Sequence, residues 1–209
     1  MKNLYKFPLI ALAVLSLGSC KKDDTKVATP KPKAELYFSA KIDGTDYLVE
    51  ALVDGYGSGA GASGGTGDVP GTYEELQSML FINPTTEQGA GISIIKMFNG
   101  RPYECDSIEA MYRTGTYTFG REERNNVPGK NGVVIFYVDK NKTHWSSDFG
   151  SGDQTGSRFE IVEHKANNDF FSRRISKATF NCKLYDGNGN SKVLTNGEIK
   201  GRSVTCDHL

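Results

Sequence analysis

The chain has 209 residues with 25 basic and 25 acidic side chains, a formal net charge of zero. That balance offers no basic footprint for nucleic acid, and beyond the first few residues no apolar run approaches the ~20 residues that cross a bilayer as a helix. Glycine is frequent, at 24 residues, and aromatics make up 11% of the chain around a single tryptophan, Trp145. Many short strands joined by tight turns would use that combination.

Residues 1–19 divide as a secretory signal does. Lys2 and Lys6 give a positive start, and Phe7 to Leu17 gives an apolar stretch of about eleven residues, too short to span. It ends in Leu17-Gly18-Ser19-Cys20. This run resembles the lipobox of bacterial lipoproteins, in which small residues admit an extended backbone to the signal peptidase and the following cysteine carries diacylglycerol. The resemblance implies cleavage before Cys20 and attachment to the membrane through that thiol. Two or more acyl chains make such attachment durable. Lys22, Asp23 and Asp24 then resemble the export signal that sends Bacteroidota lipoproteins to the cell surface. Thr29-Pro30-Lys31-Pro32-Lys33 favours extended polyproline geometry, so 20–34 is expected to be a lipidated tether. Removing Lys2 and Lys6 with the signal leaves 23 basic against 25 acidic residues, a charge of about −2.

Residues 35–209 are long enough for one domain with its own core. Alternation predicts a first strand over 35–42, with Leu36, Phe38, Ala40 and Ile42 on one face, turning at Asp43-Gly44 into a second over 45–53. Gly55 to Gly71 reads as a glycine-rich loop. Strands follow over 76–82 and 91–98. Asp106 as a cap, Glu109 three residues on, and Ile108, Met111 and Tyr112 on one side predict one short helix ending at Gly115. Further strands are expected at 116–119, at 132–138 (the most hydrophobic), around Trp145, over 158–163, and over 175–185 and 192–204, the last two joined at Asp186-Gly187-Asn188-Gly189-Asn190. The fold class is all-β: an antiparallel sandwich or open barrel of about nine or ten strands with one short helix.

With Cys20 lipidated, three cysteines remain, and three pairings are open. A hairpin about Asn188 sets Cys182 opposite a residue near Leu194, away from Cys206, and its alternation with Phe180 and Leu184 turns it into the core. Cys105–Cys206 is the disulfide this leaves.

His144, His164 and His208 lack partners at metal-site spacing, so no metal or other cofactor is expected. The 186–190 run departs from a calcium loop at Ser191 and Gly197 and reads as a turn. Gly57-Ser58-Gly59 lacks the flanking strand and helix of a nucleophile elbow, and the glycine run lacks the end of a phosphate loop. Paired carboxylates such as Glu74-Glu75, Glu122-Glu123 and Asp153 with Glu160 need distances to be judged. Tyr137, Trp145 and Phe149 are a candidate stacking platform for sugar.

Phe38-Ser39-Ala40-Lys41-Ile42-Asp43-Gly44, Gly115-Thr116-Tyr117, Ala178-Thr179-Phe180-Asn181-Cys182 and Leu194-Thr195-Asn196-Gly197-Glu198-Ile199, following the lipobox, resemble small Bacteroidota lipoproteins of uncharacterised β-sandwich families. Ala178 and Ile199 depart from the pattern, where a glycine and an aromatic are usual. The expectation is a non-enzymatic lipoprotein of the outer membrane, displayed at the cell surface. Its partners are the membrane through its anchor and a glycan or protein ligand. A glycan-binding accessory protein and a hydrolase with an unrecognised carboxylate pair are the alternatives.

Overall fold

The computed structural model describes residues 34–66, 72–100, 110–124, 127–169 and 172–203. Cys20, Lys22, Asp23, Asp24, Cys105, Cys206, His208 and the start of the expected helix lie outside them. The fold is all-β: one strongly curled antiparallel sheet that forms a half-barrel. Of the two architectures expected, this is the open barrel.

Among the described residues, eleven strands build it: β1 (Tyr37–Ile42), β2 (Thr45–Glu50), β3 (Gly57–Thr66), β4 (Thr72–Ile82), β5 (Gly89–Asn99), β6 (Gly115–Tyr117), β7 (Gly132–Val138), β8 (His144–Ser146), β9 (Arg158–Asp169), β10 (Ser172–Tyr185) and β11 (Ser191–Ser203). Along the sheet they run β2-β1-β11-β10-β8-β7-β5-β4-β3, with β9 also on β10 and β6 on β9. Among the described residues the expected helix amounts to one 3-10 turn, Ala110–Tyr112.

The curl follows from period-two burial. Phe38, Ala40 and Ile42 of β1 face inward with Met79 and Phe81 of β4, Ile92 and Ile94 of β5, Val133 and Ile135 of β7, Ala178, Phe180 and Leu184 of β10, and Leu194 and Ile199 of β11. Each large apolar side chain so buried contributes about 1.5–3 kcal/mol. A bulge in β11 around Asn196 (φ 51°), where the register shifts against Ser39–Lys41 of β1 and Phe180–Cys182 of β10, adds local twist. The Asp43-Gly44 turn has φ of 50° and 81°, the two left-handed residues of a two-residue hairpin. Cys182 pairs with Leu194 and is a buried free thiol; burial raises its pKa well above the ordinary thiol range.

Gly55–Gly71, expected as a loop, instead contains a ten-residue strand paired position by position with β4. Glycine, alanine and serine carry too little side chain to mark a face, so periodicity is silent there. The backbone ladder to β4 supplies the order.

The edge of β10 is shared. β9 pairs with it from Ser172 to Asn181, β8 only at Tyr185. Gln154 fills the step between them. Its Nε2 donates to the carbonyls of Ser147 (2.8 Å) and Lys183 (2.7 Å), and its Oε1 accepts from Lys183 N–H (3.1 Å) and the Ser157 hydroxyl (2.8 Å). One amide side chain replaces a missing stretch of strand.

Candidate functional site

After β6 the chain passes alongside β7 and doubles back before reaching it. Phe119 makes a parallel bridge to Val133, then Arg121 pairs with Lys130 and Arg124 with Val127. This strap leans on the turn after β8. The two enclose a cleft of about 460 Å³, lined by Phe119, Arg121, Arg124, Lys130, Asp148 and the backbone of Gly150 to Gly152.

Asp148 anchors the cleft. Its side chain is 0% exposed, a costly place for a carboxylate unless it is well bonded. It accepts from the Ser146 hydroxyl (2.5 Å) and from Glu122 N–H (3.1 Å). Arg124 lies 3.4 Å from it, donates to Glu122 at 2.6 Å, and rests its guanidinium 4.7 Å over the Phe149 ring. Asp148 and Glu122 are thus bridged by the Arg124 guanidinium. Nearer the mouth, Arg121 spends two guanidinium nitrogens on the Pro128 carbonyl, at 3.2 and 3.0 Å. Arg121 and Lys130 are exposed, and neither is in an ion pair among the described residues.

Glu122 also borders a second cavity, about 340 Å³, with Glu123, Glu74, Leu76 and the backbone of Ser63 to Thr66. Burial pushes the Glu74 carboxyl above the ordinary carboxylate range. The charges of Glu123 and Glu122 add to that, while a hydrogen bond from the Glu123 backbone and the Arg124 charge oppose it. The strap thus has a basic hollow on one side of Glu122 and an acidic one on the other.

The expected stacking platform is not assembled. Tyr137 and Trp145 do pair across β7 and β8, but Trp145 is 8% exposed and belongs to the core. Lys192 Nζ sits 4.4 Å over its ring, and its indole N–H donates to Asp139 at 3.0 Å. Tyr137 packs edge-on against Tyr47 with ring centroids 4.9 Å apart. Phe149 lies under Arg124 in the cleft. Aromatic rings on a half-barrel are drawn inward by the area they bury.

Other expectations take definite places. The Asp186 carboxylate accepts from the backbone N–H of Asn188 (2.8 Å) and Asn190 (3.1 Å) and from the Asn190 side chain (2.6 Å), which makes the run a hairpin turn. His164 stacks on the buried Tyr112 and shares a 2.8 Å hydrogen bond with the Ser176 hydroxyl, which donates to Ser203. Ser176 and Ser203 are 0% and 1% exposed, so neither is a nucleophile within reach of substrate. Among the described residues, no group of three or more His, Cys, Asp or Glu is placed to hold a metal ion. Among the described residues, no helix is long and apolar enough to cross a membrane. Arg121, Arg124, Lys130 and Asp148 escaped sequence reasoning because they come from two separate loops with no spacing rule between them.

No family model, curated protein or solved structure matches this chain.

Proposed function

We propose that the protein is a lipoprotein of the outer membrane, anchored through Cys20 and displayed at the cell surface, whose half-barrel binds an anionic ligand at the Arg121–Arg124–Lys130 cleft. The address rests on Leu17-Gly18-Ser19-Cys20 and Lys22-Asp23-Asp24. One observation supports binding: two exposed cations, Arg121 and Lys130, flank a preformed hollow without a carboxylate to neutralise them, while the acids beneath are already held by Arg124 and Ser146. A carboxylate or sulfate at the mouth gains charge-assisted hydrogen bonds without displacing any existing pair. Recognition is favoured over turnover because the two carboxylates of the cleft, Asp148 and Glu122, are occupied as ion-pair acceptors and present no open acid–base couple.

The test compares a sulfated dextran with neutral dextran as ligands for the full chain. The sulfated polymer is expected to bind and the neutral one not, with affinity falling as salt is raised. Reversing both rim charges, Arg121→Glu with Lys130→Glu, is expected to weaken binding about tenfold or more. Equal binding of the two polymers, or indifference to the double variant, excludes the cleft as an anion site.

A further inference from the structure

The two ends of the sheet differ. β2 is six residues long and carries Asp46 and Glu50, features that discourage addition of another strand. β3 is ten residues long without a charge or a proline, and its pairing with β4 has no bulge. In an antiparallel pair, the backbone groups that do not meet the neighbour point away from it. Among the described residues, no backbone hydrogen bond reaches that far side of β3. The first half of β3 is partly covered, but every residue from Ala62 to Thr66 is exposed.

The acidic cavity lies against that open stretch, with Ser63 to Thr66 forming one wall and Glu74, Glu122 and Glu123 the others. Gly65 pairs with Glu74, so both present the same face. A strand added to β3 would run two strand spacings, about 10 Å, from β4. A long basic side chain opposite Gly65 would pass over a position with no side chain to block it and meet the carboxylates.

We propose that Ala62–Thr66 is a docking edge for an extended segment of a partner protein, which adds one strand to β3 and places a lysine or arginine beside Glu74 in the adjoining cavity. Main-chain hydrogen bonds supply the attachment and the cavity supplies the selectivity, as in other cases of strand addition. A second copy of this chain fits the edge poorly. Pairing β3 with itself sets glycine, alanine and serine against one another, without the cross-strand side-chain contacts that stabilise a pair, and brings no cation to the carboxylates. The strand edge carries this inference independently of the anionic-ligand cleft.

The test uses the full chain and an acetylated, amidated hexapeptide, Thr-Val-Lys-Val-Thr-Val, beside two controls: norleucine for lysine, and alternate backbone nitrogens methylated. Binding is followed by anisotropy of a labelled peptide, and the docking edge by amide hydrogen exchange. The lysine peptide is expected to slow exchange at Ala62 to Thr66 about tenfold, and each control to bind about tenfold more weakly, a difference of about 1.4 kcal/mol. Glu74→Gln, with its fold checked by Trp145 emission, is expected to lose most of the preference for lysine over norleucine while still binding both. Equal affinity for lysine and norleucine peptides, or unchanged exchange at 62–66, overturns the proposal. So does protection of 62–66 that grows with protein concentration in the absence of peptide, which would make a second copy the occupant.

Discussion

The amide of Gln154 holds two carbonyls, a backbone N–H and a hydroxyl where no strand continues. Gln154→Ala leaves the Ser147 carbonyl and the Lys183 carbonyl and N–H unpaired at the step and is expected to cost about 3 kcal/mol or more, since each buried group left unsatisfied costs about 1–3. Gln154→Glu, which sets a carboxylate against two carbonyls, is expected to cost more. Urea unfolding followed by Trp145 emission measures both. Asp139 gives a second prediction. Burial pushes its carboxyl up, but hydrogen bonds from Trp145, Thr143 and Asn141 and the charge of Lys192 prevail and hold it below the ordinary range. A group whose pKa is lowered by folding adds stability above its unfolded value, about 3.9 for aspartate, and that stability is lost as pH falls through the lower folded value. Asp139→Asn is therefore expected to flatten the decline in stability below about pH 4. A decline as steep as in the unaltered chain would show that Asp139 carries no linkage. At this scale little of the site was legible. Trp145 and Phe149 stand four residues apart in sequence, yet one enters the core and the other lies beneath Arg124. Only the contact between two loops decides that.

Among the strands, alternation was a good guide where side chains are large. The inward set of β1 and the 132–138 bounds of β7 follow directly from sequence, as does the Cys182–Leu194 register, which turn position fixes. It failed over β3, where there is no pattern to read, and over the strap, whose three isolated bridges are too short for any periodicity. Glycine was also misleading. Expected chiefly in turns, it also occupies strand interiors beneath aromatic rings. A Cβ on Gly91 would fall 2.4 Å from the Met79 carbonyl and 2.6 Å from the Phe136 ring, and one on Gly197 would fall 2.2 Å from the Phe180 ring. The ring on one strand takes the space that the glycine on the next leaves open. Gly91→Ala must move the backbone of β4 or β5 and is expected to cost about 1–3 kcal/mol. An unchanged urea midpoint would mean that the sheet relaxes freely there.

For the molecule as a whole, address and fold come from different parts of the chain. The proposed anchor rests on a four-residue pattern read without reference to the domain, and its consequence is direct. Cys20→Ala is expected to abolish incorporation of labelled palmitate and to release the protein from the membrane fraction. In the unaltered chain, protease added to intact cells is expected to remove the domain; protection from it would place the domain behind the outer membrane. The half-barrel was legible as a class because a near-neutral chain of short alternating runs has few other ways to bury its aromatic and aliphatic faces. The step held by Gln154 and the strap were not, since neither carries a periodic signal.

The unequal ends of the sheet decide what kind of association this molecule can enter. A strand with two receptive edges propagates: each addition exposes the next edge, and the product is a fibre. Here β2 is short and charged while β3 is long and bare, so a strand docked on β3 as proposed meets no equally receptive edge at the β2 end. That asymmetry separates a docking edge from a seed for aggregation.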